Sequence, residues 1–145
     1  MIKDIKIIEL DTHNDNRGFF REILRLDNSE LNFNLGQLSH SKVNQGVLKA
    51  WHGHKKQTQW NYLINGKIQV VLYDYRDTSK SFNKYKEFII DAEKKSLAYC
   101  FPPGILHSYK CLEGPIDIIY LTSGTYDILE EIRISPSDES IIYKW

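Results

Sequence analysis

Apolar positions in this chain recur in short bursts, many of them β-branched or aromatic, cut off by turn residues. The segments IKIIEL (from Ile5), GFFREILRL (from Gly18), QWNYLIN (from Gln59), KIQVVLYDY (from Lys67), KYKEFII (from Lys84) and IDIIYLTS (from Ile116) all predict strands. Alternation is clearest in KIQVVLYDY. There Ile68, Val70 and Leu72 share one face, and Lys67, Gln69, Val71 and Tyr73 share the other. Asn65-Gly66, between two of these segments, predicts a hairpin closed by a type I′ turn. SKSFNKYKEF and YDILEEIR predict at most a short turn of helix each, since neither sustains a 3.6-residue period. No repeat, linker or low-complexity stretch divides the chain, so residues 1–145 are expected to form one all-β domain, an antiparallel sandwich or barrel.

Composition adds mainly exclusions. With 19 Lys plus Arg against 19 Asp plus Glu, no net charge draws the chain to nucleic acid or an anionic membrane, so an anionic ligand needs local groups. No apolar run approaches the roughly 20 residues that span a bilayer, and the N-terminus lacks a cleavage pattern. Cys100 and Cys111 are expected to be buried, reduced thiols, consistent with a cytoplasmic location. His13 and His40 read as surface residues, and Trp51, Trp60 and Tyr62 as core or cleft.

Chemistry concentrates in GVLKAWHGHKKQTQW, Gly46 to Trp60. As a strand, Val47 to His54 would project Leu48, Ala50, His52 and His54 from one face, with Trp51 and Gly53 on the other. Two imidazoles on one face can share a divalent metal, or can be ordinary polar strand positions. The order Gly46, His52, His54, Gln59, Gly66, followed by PPGILH with His107, resembles the two motifs of the cupin superfamily, a jelly-roll (double-stranded β-helix) barrel. Its metal-binding members use two histidines and a glutamate from the first motif and one histidine from the second. Here Gln59 stands at the glutamate position, which removes a charge and leaves a poorer ligand. A divalent metal on His52, His54 and His107 is therefore the alternative to a metal-free site.

A more specific resemblance spans nearly the whole chain. DNRGFFRE (from Asp15), QLSHSK (from Gln37), GVLKAWH (from Gly46), PPGILHSY (from Pro102), YLTSGTY (from Tyr120) and RISPSDESIIYKW follow in one order. Together they resemble the dTDP-4-dehydrorhamnose 3,5-epimerase family, a cupin branch that works without metal, usually as homodimers, on nucleotide-activated 4-keto sugars. The resemblance implies His52 as catalytic base and Tyr120 as proton donor. It implies substrate binding by Arg17, Glu22, Gln37, Lys49, Gln59, His107, Tyr126 and Glu131, with Tyr126 stacking on the nucleotide base and Glu131 contacting the nucleotide.

These residue types suit the chemistry. A proton beside a ketone is acidic because the carbanion delocalises into an enolate, so a histidine can remove it and a tyrosine on the opposite face can return another. The enolate oxygen then needs a hydrogen-bonding partner, which His107 and Gln59 are expected to supply. The sequence departs from the family at four points. Gln59 replaces a lysine, Lys49 an arginine, and His54 a glutamine, while the residues through Trp145 contain no S-x-K-D segment, whose aspartate pairs with the base. Another group must then set the tautomer of His52. The expected function is epimerisation at C3, C5 or both of a 4-keto-6-deoxy sugar nucleotide, in bacterial surface-polysaccharide biosynthesis. A metal-dependent cupin, a non-catalytic nucleotide-sugar-binding module and a 3,4-ketoisomerase are the alternatives.

Overall fold

The computed structural model describes residues 2–26 and 34–145. Twelve strands run in the order β1 (Lys6–Glu9), β2 (Thr12–Asp15), β3 (Gly18–Arg21), β4 (Gln37–Val43), β5 (Leu48–His54), β6 (Gln59–Leu63), β7 (Lys67–Asp74), β8 (Tyr85–Asp91), β9 (Leu97–Phe101), β10 (Ile105–Glu113), β11 (Ile116–Thr122) and β12 (Glu131–Arg133). Two five-stranded antiparallel sheets, β1-β9-β6-β11-β4 and β12-β5-β10-β7-β8, carry the fold, and β2 and β3 form a separate hairpin. There is no α-helix among the described residues, and the all-β jelly-roll expectation holds.

Two local expectations change. GFFREILRL is a strand only as far as Arg21; beyond it, Ile23 and Leu24 pack on the cluster formed by Trp60, Tyr62, Ala98, Cys100 and Leu121. Asn65-Gly66 does not close a hairpin, because β6 and β7 lie in different sheets. Both edges of β6 are already occupied, by β9 and β11, so β7 has no edge to pair with. Gly66 does adopt a left-handed φ of 76°, while Asn65 does not, so the turn is not type I′. A Cβ on Gly66 would lie 2.5 Å from the Glu113 carbonyl oxygen, so the chain crosses between sheets where only glycine fits.

The predicted alternation of β7 is observed. Ile68, Val70 and Leu72 face the other sheet and join Leu63, Tyr99, Phe101, Ile105, Tyr109 and Ile118 in the main core. Val71 and Tyr73 face outward but are also buried, against Trp51, Leu106 and Ile141, with Tyr143 and Trp145 beside them. The C-terminal segment thus covers the outer face of this sheet. Trp51, Trp60 and Tyr62 are core residues.

Inward-facing residues change character along their strands. On β4, Gln37, Ser39 and Ser41 give way to Val43; on β6, Gln59 and Asn61 to Leu63; and on β11, Thr122 and Tyr120 to Ile118 and Ile116. One end of the sandwich is therefore sealed by apolar packing, and the other is left polar and open.

At the end of β7 the fully buried Asp74 accepts hydrogen bonds from Arg76, Ser79 and Ser81. Burial alone would raise its pKa, but these donors outweigh it and hold the carboxyl well below its ordinary 3.8. Its folded pKa therefore lies below the unfolded one, so its stabilisation is present above pH 3.8 and fades as pH falls toward the folded value. Asp74→Asn should lower stability to urea at pH 7 by about 1–3 kcal/mol, and the difference from wild type should shrink on acidification through that window.

Candidate active site

The open end of the sandwich holds a cavity of about 650 Å³, within the range of about 300–1,000 Å³ usual for small-ligand sites. One sheet contributes Lys49, His52, His54, His107, Tyr109 and Glu131; the other contributes Gln37, Ser39, Ser41, Gln59, Tyr120 and Thr122. Of the predicted site residues, His52, Tyr120, Gln37, Lys49, Gln59, His107, Tyr126 and Glu131 all line it.

Lys49 reaches the cavity because β5 is bulged against β10. His52 pairs with His107 and Lys49 with Tyr109, so three steps on β5 match two on β10. The extra residue resets the alternation. Leu48 pairs instead with Lys110, and Ala50 packs against the cluster around Trp51. Ala50 also borders the cavity beside Lys49 and His52, whereas Leu48 does not, so strict period two fails at Leu48 and Lys49.

The three histidines form one cluster, with ring centroids 4.8 Å apart for His52–His54 and 5.2 Å for His52–His107. His52 Nδ1 lies 3.0 Å from His107 Nε2, and its Nε2 lies 3.3 Å from Glu131 Oε1. Burial and the neighbouring His54 hold the His52 pKa below the ordinary imidazole value, while Glu131 pulls it back up. Burial, with His52 and His54 beside it, drives His107 further below that value, so this ring stays neutral.

His54 is tied at both nitrogens, Nδ1 to Glu130 Oε2 at 2.8 Å and Nε2 to the Gln59 amide at 2.8 Å. Gln59 in turn bonds Asn61 at 2.7 Å. Because an amide presents either its oxygen or its nitrogen after a half-turn, Gln59 can match either protonation state of His54. Its amide nitrogen keeps a second N–H beyond the bond to Asn61, and Gln59 lines the cavity. No group of three or more His, Cys, Asp or Glu among the described residues is arranged to hold a metal ion. The histidines meet, but as a hydrogen-bonded network.

Tyr120 approaches from the other sheet. Its hydroxyl bonds that of Tyr109 at 2.6 Å, and burial raises its pKa against the opposing effect of hydrogen bonds with Tyr109 and Ser41. It is therefore held as a protonated phenol. At the mouth, the Gln37 side chain accepts the Tyr126 backbone N–H at 2.9 Å, and Tyr126 is 63% exposed. Arg17 and Glu22 do not reach this cavity. Arg17 pairs with Asp15 on the β2–β3 hairpin, and Glu22 lines a small separate depression and pairs with Arg25.

Sequence reasoning missed Tyr109, Glu130, Asn61 and Arg133. Tyr109 carried a usable signal, since it lies two residues after His107 and shares its strand face. Glu130 carried none: it meets His54 across 76 positions of chain. Glu130 also accepts the backbone N–H groups of Lys56 and Gln57, so one buried carboxylate ties the β5–β6 loop to a histidine.

Comparison with known proteins gives a consistent picture. The family model described as dTDP-4-dehydrorhamnose 3,5-epimerase matches residues 1–145. The spore coat polysaccharide biosynthesis protein SpsL of Bacillus subtilis (strain 168) is 39% identical over 148 residues, covering 100% of this chain and 97% of that protein. The crystal structure of dTDP-6-deoxy-D-glucose-3,5-epimerase RmlC from Legionella pneumophila, in complex with dTDP-4-keto-L-rhamnose, superposes with a TM-score of 0.89 at 26% identity, over 99% of this chain and 79% of that one. A dTDP sugar isomerase from Desulfovibrio desulfuricans G20 shares the fold with a TM-score of 0.91 at 23% identity, over 99% and 92% of the two chains.

Glu130→Ala strips His54 and two backbone N–H groups of their acceptor. It should destabilise the protein by about 3 kcal/mol in urea unfolding at neutral pH, whereas Glu130→Gln, which keeps an acceptor oxygen, should lose about half of that.

Proposed function

The chain belongs to the dTDP-4-dehydrorhamnose 3,5-epimerase family of isomerases, and from that premise we propose that its cavity epimerises a nucleotide-activated 4-keto-6-deoxy sugar at C3, C5 or both, in polysaccharide biosynthesis. The observation that carries the reading is the placement of His52 and Tyr120 on opposite sheets, facing one cavity. A sugar ring between them presents one face to a base and the other to an acid.

In this reading His52 takes the proton from the carbon beside the ketone, and the C–H electron pair moves into the enolate. Tyr120 then gives its phenolic proton to the same carbon from the far side, the enolate returns its electrons to re-form the ketone, and the configuration is inverted. Imidazolium and tyrosinate are left, and they recover their resting states by proton exchange with water. Only protons move, so the balance calls for no metal and no redox cofactor. The His107 N–H serves the enolate oxygen. Lys49 faces the pyrophosphate, Tyr126 covers the nucleotide base, and Gln37 holds the backbone of Tyr126 in place.

The assembly that fits is a homodimer. Arg17 and Glu22 lie outside the cavity of their own chain, and the hairpin carrying Arg17 exposes Phe19 and Phe20 at 64% and 63%. Such a hairpin serves a neighbouring copy. No helix among the described residues is long and apolar enough to cross a membrane. The site of action we assign is the cytoplasm, where the free thiols of Cys100 and Cys111 persist.

The test is deuterium wash-in from heavy water at C3 and C5 of 4-keto-6-deoxy sugar nucleotides, followed by NMR. Exchange should occur at one or both carbons, and His52→Ala should slow it by about 10²–10⁴-fold, the usual size of a general-base contribution. Tyr120→Phe should suppress inversion more than exchange, because His52 still removes the proton. No exchange across a broad panel of such substrates, or undiminished exchange in His52→Ala, would overturn the reading. Tight binding without exchange would instead indicate a binding module.

A further inference from the structure

A carboxylate–imidazole contact and an imidazole–imidazole hydrogen bond within the cavity determine where the imidazole protons sit. Glu131 Oε1 lies 3.3 Å from His52 Nε2, and His52 Nδ1 lies 3.0 Å from His107 Nε2. These contacts end at His107 Nδ1, which is buried without a hydrogen-bond partner among the described residues. An ionised carboxylate only accepts hydrogen bonds, so His52 carries a proton on Nε2. When neutral, its Nδ1 is then a lone pair, and an acceptor there requires His107 to donate from Nε2. The carboxylate thus dictates both tautomers through one ring.

Glu131 is itself well fixed. It opens β12, whose pairing with the edge of β5 sets Glu131 opposite His54 and Arg133 opposite His52. Its second oxygen accepts Arg133 Nε at 2.8 Å and Nη2 at 2.6 Å, and its side chain is 10% exposed. One oxygen is thereby held by Arg133 and the other is left for the histidine. The charged or titratable groups facing His52 are Glu131 and Arg133 from β12, His54 from its own strand and His107 from β10.

We propose that Glu131 is the positioning residue of the base: it fixes the His52 proton on Nε2, makes Nδ1 the nitrogen that takes the substrate proton, and through His52 presents the Nε2–H of His107 to the enolate oxygen. The inference rests on the epimerase reading of this cavity and gives Glu131 a role distinct from nucleotide contact. Entry of a ketone oxygen draws the His107 N–H away from His52 Nδ1, so one displaced hydrogen bond both polarises the carbonyl and bares the base. The substrate C–H bond then breaks, its electron pair goes to the enolate, and its proton goes to His52 Nδ1. The resulting imidazolium stays against the Glu131 carboxylate.

Nitrogen-15 NMR of the imidazole rings in the resting protein, with no substrate present, tests this independently of turnover. In the wild type, His52 should show a protonated Nε2 and a bare Nδ1, and His107 the same pattern. In Glu131→Gln, whose amide can donate to Nε2, the His52 proton should move to Nδ1 or divide between the two nitrogens. Glu131→Asp, which keeps the carboxylate, should hold the wild-type pattern at least in part, and signal dispersion in each spectrum reports that the variant is folded. In the wash-in assay Glu131→Gln should lower kcat by about 100-fold or more, on the scale of a general-base contribution, with KM little changed. A His52 tautomer that is unaltered in Glu131→Gln would overturn the proposal, whether or not the protein turns over substrate. So would a raised KM with unchanged kcat, which is the result expected of a nucleotide contact alone.

Discussion

The pairing of β5 with β10, bulged by one residue, is the constraint on which the site depends. It sets His52 directly across from His107, brings Lys49 onto the cavity face and leaves Trp51 on the outer face, packed under the C-terminal segment. Gly53 belongs to the same constraint, since a Cβ there would lie 2.9 Å from the Ile105 carbonyl oxygen. A side chain at this position would push β5 away from the turn that leads into β10, and the imidazole pair would part.

Burying polar groups around that pair is costly unless every group finds a partner. The structure meets this demand with two consecutive glutamates. Glu130 serves His54 and the loop amides of Lys56 and Gln57, while Glu131 serves His52 and Arg133. Burial works against ionisation of Glu130, but the amides of Lys56 and Gln57 together with His54 reverse that and keep it a carboxylate. The cavity therefore contains two carboxylate–imidazole pairs side by side. His54 is held between Glu130 and Gln59, whereas His52 lies between Glu131 and the His107 ring. The His52 side chain is 31% exposed and that of His54 7%, although the two rings sit on the same face of one strand.

The apolar alternation of β7, the β-rich composition and the motif order made the fold class and most of the cavity residues legible in the sequence. His52, His107 and Tyr120 could be named because short motifs hold them in fixed relation to turns and strands. Arg17 and Glu22 could be named in the same way, yet their placement outside the cavity could not be foreseen, because a strand hairpin carries no mark of the body it packs on. Asn65-Gly66 misled for a related reason. The dipeptide encodes a tight reversal, but whether the flanking strands pair is decided by which edges of β6 are already taken.

By itself, then, the sequence determined what depends on neighbours a few residues away: strand periodicity, left-handed glycine turns, and the residue types that acid–base chemistry at a ketone requires. The tertiary structure alone decided what depends on groups far apart in the chain. His54 is held at Nδ1 because Glu130, 76 positions away, reaches it. Lys49 faced the cavity because a bulge between two strands shifted its phase. His52 acquired a carboxylate partner because a three-residue strand, β12, added itself to the edge of β5. Hydrogen bonds act over about 3 Å in space and are indifferent to separation along the chain, so the partners of a buried imidazole can be identified only once the sheets have closed.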